Sequence, residues 1–139
     1  MEKDFKIWFE LKPKLNECQL PSGFYIKAGD IWWCSLGSNI GTEIDGKNKW
    51  FDRPVLILKV FNPSHSLIVP LTHSKSGSRF HIPLRSVSFE TMAVISQIRA
   101  INSKRISRKM RCNLSHADFT AVQSALMDLF ISIQNETPT

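Results

Sequence analysis

Four residues beside two predicted strand ends carry the side chains best suited to phosphate chemistry. Arg53 precedes the apolar run PVLILKV, and Thr72, His73 and Ser74 directly follow the run LIVPL. A planar guanidinium can bind two phosphate oxygens at once, a hydroxyl can donate a hydrogen bond to another oxygen, and an imidazole can move a proton near neutral pH. An arginine that faces a hydroxyl and an imidazole would form a candidate phosphate site.

Two strands joined by a tight turn are needed to bring these groups together. Residues 54–60 and 67–71 are apolar or β-branched almost throughout, which is typical of strands buried on both faces. The sequence Asn62-Pro63-Ser64 between them predicts a turn. An antiparallel hairpin of these strands would place Arg53 and Thr72 at the same end of the sheet.

Three further strands are predicted, at residues 31–36, 80–84 and 92–101. A long polar loop marked by three glycines separates the first of them from the hairpin. In the segment MAVISQIRAI, period-two alternation places Gln97 and Arg99 on one face. Because that strand is mostly apolar, these two side chains must reach either solvent or a ligand.

Helices are predicted at both ends of the chain. Residues 2–16 place Phe5, Trp8 and Phe9 near one helical stripe, and Pro13 should end or kink that helix. An apolar stripe favours packing on the domain, with an RNA-binding or membrane-surface helix as the alternative. Residues 115–134 have apolar residues at every third or fourth position, and Ser115 followed by Asp118 indicates a helix start of the capping-box type.

Composition indicates one globular domain of 139 residues, because 42% of them are hydrophobic and 22% are charged. No apolar run is long enough to span a membrane, and the first residues lack the apolar core of a signal peptide, so the cytosol is the expected location. The net charge of +6 is compatible with a polyanionic partner. Residues 104–111, the densest basic cluster, are expected to be solvated or to follow an RNA backbone.

Other site chemistries find little support in the sequence. The three cysteines have no paired spacing, so reduced thiols are expected, and their spacing relative to His81 does not suit zinc. No dinucleotide-binding, P-loop or metalloprotease motif is present. No metal or cofactor is therefore expected.

The order of elements predicts a mainly β, α+β fold with a small barrel-like sheet. One domain is expected over residues 1–139, with a helical extension at 1–20, a turn at 21–23, a barrel core at 24–112 and a helix at 115–134. A flexible basic loop is expected at 75–79, and the last five residues should fray.

Five short motifs, in order and at compatible distances, resemble the MazF and PemK family of toxin endoribonucleases from type II toxin-antitoxin modules. They are GDIW at 29–32, GTE at 41–43, RPVLI at 53–57, VPLT at 69–72 and SQIRAI at 96–101. The loop at 43–53 is longer than in shorter family members, and the N-terminal helix is additional.

The resemblance implies an SH3-like barrel, a homodimer, a cognate antitoxin and metal-independent cleavage of single-stranded RNA. The family's catalytic arginine falls on Arg53 and its catalytic threonine on Thr72, while His73 is a possible proton shuttle. The set of predicted RNA contacts is Thr42, Glu43, Ser74, Gln97 and Arg99. Cleavage would use the 2′-hydroxyl as nucleophile, which requires a proton acceptor, a proton donor and a cation.

Simpler interpretations exist for the same residues. Arg53 could be a surface arginine, Thr72 could simply end a strand, and His73 could point away because neighbouring strand residues alternate faces. Glu43 could be an ordinary loop acid. The tryptophans 32, 33 and 50 could stack on bases, although a place in or beside a strand favours the core or a dimer interface. The competing class is a non-catalytic barrel that binds nucleic acid or a peptide.

Overall fold

An antiparallel hairpin of two long strands lies at the centre of the fold. The computed structural model describes residues 2–20, 25–74 and 77–133. Its helices and strands are, in chain order, α1 (Phe5–Glu17), β1 (Ile31–Ser35), β2 (Asp52–Asn62), β3 (His65–Thr72), β4 (His81–Pro83), β5 (Met92–Val94), β6 (Arg99–Asn102), β7 (Ile106–Lys109) and α2 (His116–Ile133). Among these residues, neither helix is long and apolar enough to cross a membrane.

The hairpin of β2 and β3 contributes to two hydrophobic cores, one on each face. Val55 and Ile57 point into the first core and Leu56 into the second, and all three are 0% exposed. At the turn, the Asn62 side-chain oxygen accepts a hydrogen bond of 2.9 Å from the Ser64 amide. The predicted turn and the predicted burial on both faces are therefore confirmed.

The remaining elements cover these two faces. Apolar side chains of β1, β6 and β7 complete the first core, while α2 packs on the second through Val122 and Leu126. At the start of α2, the Ser115 hydroxyl accepts from the Asp118 amide at 3.1 Å, as the capping prediction requires. The Asp118 carboxylate instead accepts from the Ser86 amide at 2.9 Å, which ties the helix to the segment between β4 and β5.

All strand pairings in the seven-stranded sheet are antiparallel. The order is β4-β5-β3-β2-β1-β7, and β6 also pairs with β3. The mainly β, α+β prediction is confirmed. The described pairings do not close into a ring, so the term barrel applies only loosely.

The strand predicted at residues 92–101 is wrong in its middle part. Ala93 pairs with Leu71 and Arg99 pairs with Ile68, so the intervening segment is longer than the stretch of β3 that it faces. The excess forms a 3-10 turn at Ile95–Gln97. Gln97 therefore does not share a strand face with Arg99.

The basic segment at residues 104–111 is more structured than expected. A 3-10 turn at Ser103–Arg105 leads into β7, which pairs with β1. Ile106 is buried in the first core, whereas the next three residues are exposed. The solvated-face prediction holds for those three residues and for Arg111, which is also exposed.

Helix α1 packs on the domain through one main anchor. Trp8 is 3% exposed, whereas Phe5 and Phe9 are 38% and 61% exposed, so the predicted apolar stripe is only partly used. The helix begins after Asp4, whose side chain accepts from the Ile7 amide at 3.2 Å, and it continues past Pro13 to Glu17. The expected turn at 21–23, part of the loop at 75–79 and the tail lie outside the described residues.

A candidate phosphate site at the end of the hairpin

A cavity of about 380 Å³ lies beside the ends of β2 and β3 and contains the residues predicted to do chemistry. Arg53, Thr72 and His73 all line this hairpin cavity. Arg53 and Thr72 lie within the strands and not outside them as expected, because each strand is longer than its apolar run. Antiparallel pairing brings both residues to one end of the sheet.

Two backbone carbonyls fix the Arg53 side chain. Its Nε donates to the Asp45 carbonyl at 2.8 Å, and its Nη1 donates to the Leu71 carbonyl at 3.2 Å. Burial lowers the pKa of the guanidinium, and the nearby Asp45 carboxylate raises it in part. The result is a half-buried cation whose orientation is set by the first loop and by β3.

Thr72 and His73 face the cavity from the end of β3. The Thr72 hydroxyl oxygen accepts from the Ser74 amide at 3.1 Å, so its proton can be donated elsewhere. The strand ends at Thr72, and the alternation of strand faces therefore does not turn His73 away. His73 Nε2 lies 3.2 Å from the Thr91 hydroxyl, which in turn lies 2.7 Å from the Ser88 hydroxyl.

The other predicted RNA contacts are not in this cavity. Thr42, Glu43, Gln97 and Arg99 border a separate depression of about 490 Å³ beside the loop at 36–51. We call this depression the loop groove, and we call residues 36–51 the first loop. Ser74 lines neither depression, and its contribution is the amide that binds Thr72.

Gln97 and Glu43 have structural partners of their own. The Gln97 side chain accepts from the Ile44 amide and donates to the Thr42 carbonyl, both at 3.1 Å, so it holds the first loop in place. The exposed Glu43 carboxylate accepts from the Ile40 amide at 2.9 Å within the same loop. Neither side chain is among the described residues that line the hairpin cavity.

Sequence reasoning missed several residues of the cavity wall. Thr91 and Ser88 lie between the strands expected at 80–84 and 92–101, and only their hydroxyl side chains could have indicated a role. Trp33, considered for base stacking, is half-buried and lines the cavity with Arg111, whereas Trp32 is buried and Trp50 is 54% exposed.

The cysteines and histidines form no candidate metal centre among the residues that the structure describes. All three cysteines are free; Cys34 is buried, and Cys18 and Cys112 are half-buried. Burial raises the pKa of the Cys34 thiol to about 12.

The chain matches a known family over most of its length. The sequence model of the family described as PemK-like, MazF-like toxin of type II toxin-antitoxin system matches residues 27–130. The chain belongs to this family. Helix α1 precedes the matched residues. No curated protein matches the chain.

Solved structures of MazF from Deinococcus radiodurans and of a mycobacterial endoribonuclease share the fold. MazF (Form-I) from Deinococcus radiodurans has a TM-score of 0.64 at 17% identity, covering 77% of this chain and 97% of that one. An endoribonuclease from a mycobacterial species has a TM-score of 0.58 at 12% identity, with 79% and 95% covered. The MazE-MazF complex (Form-II) from Deinococcus radiodurans gives 0.57 at 16% identity, with 77% and 96% covered.

Proposed function

We propose that this MazF-like toxin is an endoribonuclease that cleaves single-stranded RNA without a metal ion. The observation that carries the proposal is that Arg53, Thr72 and His73 line one cavity. A cation, a hydroxyl donor and an imidazole are the groups that attack by the 2′-hydroxyl requires. The similar mycobacterial protein is described as an endoribonuclease, which is consistent with the proposal.

Arg53 is the proposed electrostatic catalyst. Its Nε and Nη1 are held by carbonyls, and no hydrogen bond is found from Nη2 to any residue that the structure describes. Nη2 can therefore donate to a non-bridging phosphate oxygen as negative charge develops. Although burial lowers its pKa, a guanidinium remains charged at neutral pH, so we assign Arg53 to charge stabilisation and not to proton removal.

Thr72 and His73 complete the proposed reaction. The Thr72 hydroxyl donates to a second non-bridging oxygen, and His73 accepts the proton of the 2′-hydroxyl. The 2′-oxygen then attacks phosphorus, the bond from phosphorus to the 5′-oxygen breaks, and the imidazolium returns the proton to that oxygen. The products are a 2′,3′-cyclic phosphate and a free 5′-hydroxyl.

The loop groove is the proposed path for the rest of the RNA strand. Thr42 and Arg99 provide a hydroxyl and a cation on its wall. Ser74 acts through its backbone amide, which donates to the Thr72 hydroxyl oxygen. Glu43 and Gln97 shape the loop that forms the wall. We assign all five to RNA binding, two of them through the loop.

The proposed partners are a cognate antitoxin and a second copy of the chain. The support is family membership and the MazE-MazF complexes of the similar Deinococcus protein. Three large side chains of α2, Met127, Phe130 and Ile131, are more than half exposed and could contribute to either interface. The cytosol is the proposed place of action, and one domain over residues 1–139 is the proposed organisation.

The decisive experiment uses purified protein and single-stranded RNA in excess chelator. Wild-type protein should give fragments that end in a 2′,3′-cyclic phosphate, and Arg53→Ala should reduce the rate at least ~10²-fold. Arg85→Ala is the matched control, because Arg85 is an exposed arginine stacked on Phe89 outside the cavity. Binding without cleavage by wild-type protein would favour a non-catalytic RNA-binding module.

A further inference from the structure

Lys3, just before α1, is bonded to the first loop at several points. Its Nζ donates to the Asn39 carbonyl at 2.5 Å and to the Gly41 carbonyl at 3.0 Å, and it lies 3.2 Å from the Asp45 carboxylate. The Lys3 and Asp45 side chains are only 22% and 28% exposed. A lysine with three oxygen partners and this degree of burial is more constrained than an ordinary surface lysine.

Trp8 holds the base of the same loop. A Cβ atom at Gly37 would lie 2.2 Å from the Trp8 ring, and Gly37 has a φ of +82°, so only glycine fits beneath this ring. On the other side of the loop, the Trp8 and Phe51 ring centroids are 5.6 Å apart. Helix α1 therefore packs against both ends of the first loop.

Asp45 connects these contacts to the hairpin cavity. Its carboxylate binds Lys3 and also accepts from the Asn39 amide at 2.6 Å. Its carbonyl accepts from Arg53 Nε at 2.8 Å. One loop residue therefore bonds the N-terminal segment through its side chain and the proposed catalytic arginine through its backbone.

We propose that the N-terminal segment is a clamp in which Lys3 and Trp8 fix the first loop, so that Asp45 orients the Arg53 guanidinium. Lys3 and Asp45 are positioning residues, since neither lines the hairpin cavity. The role in catalysis rests on the proposed function, but the clamp itself does not. Because the segment precedes the residues that match the family, the clamp is a feature of this chain beyond the shared domain.

The clamp is testable by nuclear magnetic resonance without any activity. The Hε proton of Arg53 should exchange slowly with water, because it is bonded to the Asp45 carbonyl. Lys3→Met should speed this exchange ~10-fold. Asp45→Asn should have the same effect, because it removes the negative charge that pairs with Lys3 while the backbone carbonyl that accepts from Arg53 is still present. Lys3→Arg, which keeps the positive charge, should retain the slow exchange of wild-type protein. Lys6→Met is the control, since Lys6 is an exposed lysine on the same segment.

The catalytic consequence is measured on the same proteins. Lys3→Met should lower kcat ~10-fold with KM changed less than ~2-fold, because a misplaced catalytic group lowers the rate more than binding. Unchanged Hε exchange in both Lys3→Met and Asp45→Asn would overturn the clamp. Faster exchange with an unchanged kcat would overturn the positioning role. Wild-type protein that cuts no RNA would instead refute the proposed function, and the Hε exchange rates alone would then decide whether the clamp exists.

Discussion

The hairpin cavity takes its chemical groups from paired strands, whereas the wall of the loop groove is a loop that depends on other side chains for its shape. Arg53 and Thr72 belong to β2 and β3, whose backbones are fixed by the sheet. In the groove, Gln97 uses its whole amide to bind the first loop. The two regions are joined by Asp45, whose carbonyl binds Arg53.

The two regions therefore have different expected roles: the side chains of the hairpin cavity react with the RNA, and those of the loop groove hold the first loop in place. Removing a cavity side chain should remove a reacting group and leave the sheet intact, so that kcat falls without a loss of stability. Removal of a groove side chain should instead release the loop, which affects RNA binding and stability together.

The largest effect is expected for Thr72→Val. Valine preserves the branched shape at the strand end but removes the hydroxyl that we assign to a phosphate oxygen. We expect kcat to fall ~10³-fold, the upper range for loss of one transition-state donor. The free energy of unfolding, measured with urea, should change by about 1 kcal/mol or less. Among the described residues, the substitution removes one exposed hydrogen bond, from the Ser74 amide to the Thr72 hydroxyl oxygen.

Thr72→Ser provides the control, because it keeps the hydroxyl. It should retain most of the activity. Equal loss in the serine and valine variants would contradict a role for the hydroxyl and would indicate that the methyl group, through packing, is what matters.

A smaller loss, ~10²-fold in kcat, is expected for His73→Gln. Glutamine can still hydrogen-bond to the Thr91 hydroxyl, but it cannot accept and return a proton. Cleavage rates under single-turnover conditions would measure the effect. Thr91→Val, which removes the partner and retains the imidazole, should cost less, and full activity of His73→Gln would eliminate His73 as the proton shuttle.

The sequence was sufficient to predict the hairpin because its two apolar runs are continuous and a strong turn motif separates them. It was insufficient for β7, where Ile106 is the only buried residue of a strand that is otherwise exposed and polar. It also failed at Ile95–Gln97, because the register of β5 and β6 against β3 is a tertiary property that the even apolar pattern of MAVISQIRAI does not reveal.

For the site, the same limit applies to contacts between distant segments. Arg53 and Thr72 could be paired in advance because one short turn relates them. The placement of Thr91 beside His73, and of Lys3 beside Asp45, depends on how loops and the N-terminal segment fold back onto the sheet. Neither follows from residue type or spacing.

Gln97→Glu tests the groove with a change of one atom in the side chain. A carboxylate can still accept from the Ile44 amide but cannot donate to the Thr42 carbonyl. We expect KM for RNA to rise ~10-fold and the free energy of unfolding to fall by about 1 kcal/mol, with kcat changed less than ~3-fold.

Glu43→Gln is the matched variant on the same loop. Its amide oxygen can still accept from the Ile40 amide, so the free energy of unfolding should be nearly unchanged and KM for RNA should stay within about twofold of the wild-type value. A Gln97→Glu protein that loses kcat but keeps its KM would contradict the division between the two regions.

The smallest effect, and a direct test of whether RNA enters the hairpin cavity, comes from the cysteines. Cys112 lines the hairpin cavity, whereas Cys18 does not. Burial raises the pKa of Cys112, so its alkylation should accelerate as pH rises and more thiolate forms. A 2′-deoxy oligonucleotide lacks the attacking hydroxyl, and when bound it should slow alkylation of Cys112 ~3-fold while leaving Cys18 unchanged.

Cys34 serves as the internal reference in that experiment. Burial raises its pKa to about 12, so only about one thiol in 10⁴ is ionised at pH 8, and the buried sulfur should remain unmodified throughout. Mass spectrometry of peptides resolves the three sites. If the oligonucleotide binds without slowing alkylation of Cys112 more than that of Cys18, the assignment of Arg53 and Thr72 to the reacting phosphate is contradicted.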